Sequence, residues 1–138
     1  MRKILFLSAL GFLVVSFAAG CGGDDAPHAS RVQLADGDAG RTVTVAKNDV
    51  VVVALTSNPS TGFRWAVRDP APAQVRIEGA SVFVAPTATS PVAGAPGTEV
   101  FTFRAVEQGT ANLTLDYARS FETGVAPDKS WSVTIVVK

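Results

Sequence analysis

The chain has 138 residues, of which 47% are hydrophobic, with 12 basic residues against 12 acidic ones, a single cysteine and a single histidine. That is one domain's worth of sequence, with no basic stripe for a nucleic-acid partner and no second cysteine for an internal disulfide. With the one histidine at position 28, close to the N-terminus, the rest of the chain cannot assemble a Ser-His or Cys-His base, nor a metal site of His/Cys type.

The N-terminus reads as an address. Met1-Arg2-Lys3 is a basic start, Ile4 to Val15 is almost wholly apolar, and Ser16-Phe17-Ala18-Ala19-Gly20 ends in small residues. The apolar run is too short, and too soon followed by glycine and aspartate, to predict a spanning helix. Small residues followed by the lone Cys21 resemble a bacterial lipoprotein signal. That resemblance implies removal of residues 1–20, lipidation of Cys21 and a chain anchored to a membrane in the cell envelope, outside the cytoplasm. The alternative is an ordinary secretory signal cut nearby, leaving a spare thiol. Residues 21–30 are mostly Gly, Asp, Ala and Pro without an apolar period, and read as a flexible tether with Asp24 and Asp25 in solvent. The folded domain is expected over residues 31–138.

Short apolar runs follow, separated by turn signals. They predict strands at Arg31–Ala35, Arg41–Ala46, Val50–Ser57, Phe63–Val67, Val75–Ile77, Ser81–Val84, Glu99–Ala105, Ala111–Tyr117 and Ser130–Val137. Alternation is clearest where Leu113 and Leu115 are interleaved with Thr114 and Asp116, and where Trp131, Val133 and Ile135 are interleaved with Ser132 and Thr134. No segment of helical length carries an apolar face. The pattern predicts an all-β fold, an immunoglobulin-like antiparallel β-sandwich of about seven to eight strands. Asp36-Gly37-Asp38 reads as a hairpin turn, since one such turn lacks the ligand count for calcium. Asn112-Leu113-Thr114 matches a glycosylation sequon but falls inside a strand. Two stretches, Ala85 to Pro96 and Arg119 to Lys129, resist strand assignment, and loops this long are usually functional or disordered.

The most informative stretch is Asn58-Pro59-Ser60-Thr61-Gly62-Phe63-Arg64-Trp65, between a β-branched strand and an alternating one. Pro59 fixes its φ, Gly62 permits a positive φ, and Asn58 and Ser60 are expected to bond the local backbone. The result is a stiff loop, polar at its tip, with Phe63 and Trp65 at its base. Trp65 is expected to hold the loop by packing.

Asn58-Pro59-Ser60-Thr61-Gly62-Phe63 closely resembles the Asn-Pro-Thr-Thr-Gly-Tyr/Phe loop of the chagasin family, reversible inhibitors of papain-like cysteine proteases. Gly94-Ala95-Pro96-Gly97, leading into Thr98-Glu99, is similar to that family's Gly-x-x-Gly second loop. Arg119-Ser120-Phe121, after Tyr117-Ala118, stands where the family carries Arg-Pro-Trp. The resemblance covers about Val43 to Val137. It implies a sandwich whose three loops, at one end, form a wedge that blocks a protease cleft without covalent chemistry. The first loop would reach the catalytic centre, and the other two would clasp either side. In the second loop, glycines suit close backbone approach. In the third, Ser120 and Phe121 replace Pro and Trp, at the cost of stiffness and an indole donor. The expected partner is therefore a papain-like cysteine protease, met by a monomer that needs no cofactor or metal and catalyses nothing. The competing reading is an immunoglobulin-like envelope module for a non-protease protein or glycan. It draws on the altered Tyr117–Phe121 segment and the long Ala85–Pro96 stretch.

Overall fold

Period-two alternation becomes nine strands in the computed structural model, which describes residues 28–87 and 92–138. The signal read over 1–20, Cys21 and most of the tether lie outside the described residues. The strands are β1 (Arg31–Ala35), β2 (Thr42–Val45), β3 (Val50–Ser57), β4 (Phe63–Val67), β5 (Val75–Ile77), β6 (Val82–Val84), β7 (Gly97–Ala105), β8 (Gly109–Arg119) and β9 (Lys129–Val137). One sheet has the order β1-β3-β7-β5, with β6 also on β7, and the other has the order β2-β9-β8-β4.

The inward residues of the two sheets make one core. Val51, Val53, Leu55, Phe101 and Phe103 from the first sheet meet Leu113, Leu115, Trp131, Val133 and Ile135 from the second. Each lies two residues from the next in its strand, so burial follows the pleat. Removing such apolar area from water at roughly 25 cal/mol per Å² is the main stabilising term in a fold without a disulfide. On the outer face of the second sheet, Arg68 bridges to both oxygens of Asp116 and, with Ser130, holds that carboxyl below its ordinary range.

The sandwich is as expected, but its sheets are mixed. β1 pairs with β3, and β2 with β9, in parallel. The reason lies at Asp36–Asp38. The expected hairpin would keep β1 and β2 in one sheet, whereas the segment is a single 3-10 turn that carries the chain from one sheet to the other. The Asp36 carboxylate accepts bonds from the amide (3.1 Å) and hydroxyl (3.0 Å) of Thr56, which locks this crossing onto β3.

Register fixes the two ends of the sandwich. Ser57, the last residue of β3, is opposite Gly97, and Phe63, the first of β4, is opposite Arg119. Tyr117 is opposite Lys129. These residues share one end, from which the segments after β3, before β7 and after β8 emerge. Chain entry is at the other end, where Arg31 pairs with Val50. Ser30, assigned to the tether, is already tied there: its amide donates to Asp49 Oδ1 at 2.8 Å and its carbonyl accepts from Val50.

Candidate functional site

The first loop is built by its own sequence. Pro59, Ser60 and Thr61 form one 3-10 turn after Asn58, and Gly62 closes it at φ +80° in the left-handed region. Thr61 Oγ1 donates to the Asn58 carbonyl at 2.7 Å, and Ser60 Oγ donates to Asn58 Oδ1 at 2.6 Å. Asn58 departs from expectation, because its side-chain amide leaves the local backbone and donates to the carbonyl of Gly94 at 2.9 Å. The first loop is thereby joined to the second. Ser60 and Thr61 are exposed at the tip, and Asn58, Pro59, Gly62 and Phe63 are half-buried.

In the second loop Gly94 has φ +79°, and a β-carbon there would lie 3.5 Å from Ser60 Oγ. Gly94 and Pro96 are exposed, and Ala95 is half-buried. Gly97 behaves differently. It lies in β7, and a β-carbon on it would fall 2.4 Å from the Val84 carbonyl and 2.5 Å from the Phe83 ring. The backbone closeness that this glycine permits is with β6 of its own chain.

The third loop is shorter than expected, spanning 120–128, because β8 runs on to Arg119 and β9 starts at Lys129. Arg119 is a strand residue. Its guanidinium lies 4.5 Å from the Phe63 ring centre, and Nη1 donates to Glu122 Oε1 at 3.2 Å. Ser120 and Phe121 are exposed, Phe121 by 71%. The edge of the Phe121 ring would nonetheless sit 3.3 Å from a β-carbon on Gly62. Loops one and three therefore touch, as loops one and two do.

Beneath the loops is an aromatic floor. Tyr117 stacks on Phe63 at 5.3 Å between ring centres and tilts against Trp65 at 5.0 Å, and its hydroxyl accepts from the Asn58 amide at 2.9 Å. Lys129 lies over the Tyr117 ring at 4.7 Å. Trp65 is buried, and its indole donates to the Thr56 carbonyl at 2.9 Å, so it holds the loop from below as expected. Tyr117, Lys129 and Glu99 carried no assigned role from sequence. For Tyr117 and Lys129 the signal was positional only, since they are opposite each other and Tyr117 is opposite Trp65, which becomes visible once the register is known, whereas Glu99 lies two residues before Phe101 on the buried face of β7.

Every sequence-predicted loop residue thus lies at one end of the sandwich. The arrangement offers hydroxyls, backbone groups and one exposed aromatic on a pre-shaped edge. Among the described residues, no group of three or more His, Cys, Asp or Glu side chains is placed to hold a metal ion.

Residues 44–135 match the family model for the chagasin family peptidase inhibitor I42, and the chain belongs to that family. It is 26% identical over 97 residues to amoebiasin-2 of Entamoeba histolytica, covering 70% of this chain and 77% of that protein. The fold is similar to the crystal structure of the cysteine protease inhibitor EhICP2 from Entamoeba histolytica, with a TM-score of 0.71 and 25% identity, covering 81% of this chain and 99% of that one. The solution structure of amebosin shares the fold at a TM-score of 0.62 and 21% identity, covering 80% of this chain and all (100%) of that one.

Proposed function

We propose that this protein is a reversible, non-covalent inhibitor of papain-like cysteine proteases, and that its three loops fill the active-site cleft. The observation that carries the reading is the mutual bracing of the loops: Asn58 binds Gly94, and Gly62 lies against Phe121. A loop set ordered before contact loses less entropy on docking. Thr61 and Ser60 stand at the tip and bring hydroxyls to a polar catalytic centre, and with the one histidine at position 28 they have no histidine base beside them to make them nucleophiles. Phe121 supplies an exposed aromatic anchor in place of the family's Trp, beside Gly62 of the first loop.

The same reading includes an anchor. A lipid on Cys21 would hold the protein to a membrane of the envelope through residues 22–29. Chain entry at Ser30 and Arg31 is at the end opposite the loops, so an anchored molecule would present its wedge away from the lipid.

Steady-state inhibition of several papain-type proteases by the purified protein tests the reading. Competitive inhibition at micromolar concentration or below, reversed on dilution, is expected. Absence of inhibition across the panel at that concentration, or inhibition that persists after dilution, would overturn it.

A further inference from the structure

Glu99 is 1% exposed, yet no cationic group contacts it among the described residues. A carboxyl in such a place requires hydrogen bonds, and it receives them from three separate segments. Oε2 accepts from the Ser57 hydroxyl at 3.1 Å and from the Trp65 backbone amide at 3.2 Å. Oε1 accepts from the Ser81 hydroxyl at 2.8 Å. Ser57 is the last residue of β3, and Trp65 lies three residues past Gly62, so the two flank the first loop on either side. They also belong to different sheets. Glu99 itself is on β7, two residues after Gly97. Ser81 immediately precedes β6, whose Phe83 covers Gly97.

We infer that Glu99 is the positioning residue of the inhibitory edge. It clamps the two strands that carry the first loop at a fixed separation and ties both to the strand that leaves the second loop. It touches no partner and acts through Asn58–Gly62. This rests on the proposed inhibition, which it deepens by naming what sets the loop's geometry. An apolar residue in its place would leave the Trp65 amide buried without an acceptor, and the strands flanking the loop would be free to part. Glutamine keeps the shape: its carbonyl oxygen can serve Ser57 and Trp65, and its amide can donate to the Ser81 oxygen after that hydroxyl rotates.

The test compares Glu99→Gln, Glu99→Leu and the milder Ser57→Ala with the parent against one inhibited papain-type protease, at a temperature where each is folded. Hydrogen exchange of the Thr61 and Gly62 amides is followed beside that of core amides in β8. The inhibition constant for Glu99→Leu should rise roughly 10- to 100-fold, the scale set by one or two unpaired buried groups. Loop-one amides should lose protection while β8 amides keep theirs. Glu99→Gln should stay within about threefold of the parent, and Ser57→Ala should fall between the two. If Glu99→Leu does not fold, Ser57→Ala decides: an unchanged inhibition constant and unchanged loop exchange would overturn the assignment. So would a folded Glu99→Leu that inhibits like the parent, or one that loses protection equally in loop and core. A parent protein that inhibits nothing would instead overturn the functional reading. Loop exchange in the free variants would still report on the clamp.

Discussion

At the scale of single residues, the same residue type does different work at neighbouring positions. Gly62 is required for its backbone angle, with φ at +80° and an aromatic ring against its open side. Gly97 is required for space, because the Val84 carbonyl and the Phe83 ring occupy the volume of any side chain. Gly97→Ala should therefore destabilise the fold by about 1–3 kcal/mol through overpacking. Denaturant titration measures this, and hydrogen exchange should locate the loosening in β6. Little change in stability would mean that β6 yields freely and that Gly97 serves the partner instead. The motif Gly94-Ala95-Pro96-Gly97 was legible in the sequence, but the separate purposes of its glycines were not. One spacing is compatible with a turn, a partner contact or an internal one, and only the position of β6 distinguishes them. Glu99 was hidden for a related reason. The alternation with Phe101 and Phe103 puts Glu99 on the inward face, but a glutamate is tolerated there only because of Ser57, Trp65 and Ser81, which are distant in sequence.

At the scale of elements, the strands were legible because each buries one face, which imposes period two. Five-residue β1 and eight-residue β3 begin and end where the pattern does. β7 and β9 start earlier than the alternation does, at Gly97 and Lys129, and β8 is longer at both ends, running from Gly109 to Arg119, because their partners continue to offer backbone bonds there. That extension shortens the third loop and places Arg119 on a strand, over Phe63. The parallel pairing of β1 with β3 and of β2 with β9 could not be read from the pattern. Side-chain alternation is the same in both directions, and the deciding contacts of Asp36 with Thr56 are 20 residues apart. The first loop was the most legible element, since Pro59 and Gly62 dictate its backbone locally. Its tip is exposed and has its own internal bonds, so function and fold can be separated there. Thr61→Arg removes one local hydrogen bond and should change stability by no more than about 1 kcal/mol. It should raise the inhibition constant at least about 100-fold by driving a bulky charge into the contact. Melting temperature and inhibition measured on the same preparation check both halves. Equal inhibition by this variant would show that the first loop is not the contact.

At the scale of the whole molecule, the sandwich has two unlike ends. One holds Ser30, Asp49 and the turns joining β2 to β3 and β7 to β8, closed by backbone bonds such as Asn48 N–H to the Ala105 carbonyl at 2.8 Å. The other holds three loops braced against one another over Phe63, Trp65 and Tyr117. The core between them is continuous and apolar, so the loop end can be shaped without disturbing the distant one. This polarity makes a spatial prediction. Hydrogen exchange of the protein, free and saturated with an inhibited papain-type protease, tests it most directly. Residues 58–63, 94–97 and 119–121 should gain protection in the complex, while 46–49 and 107–109 at the far end should exchange as they do in the free protein. Protection confined to the outer sheet faces or the far end, with the three loops unchanged, would contradict the account.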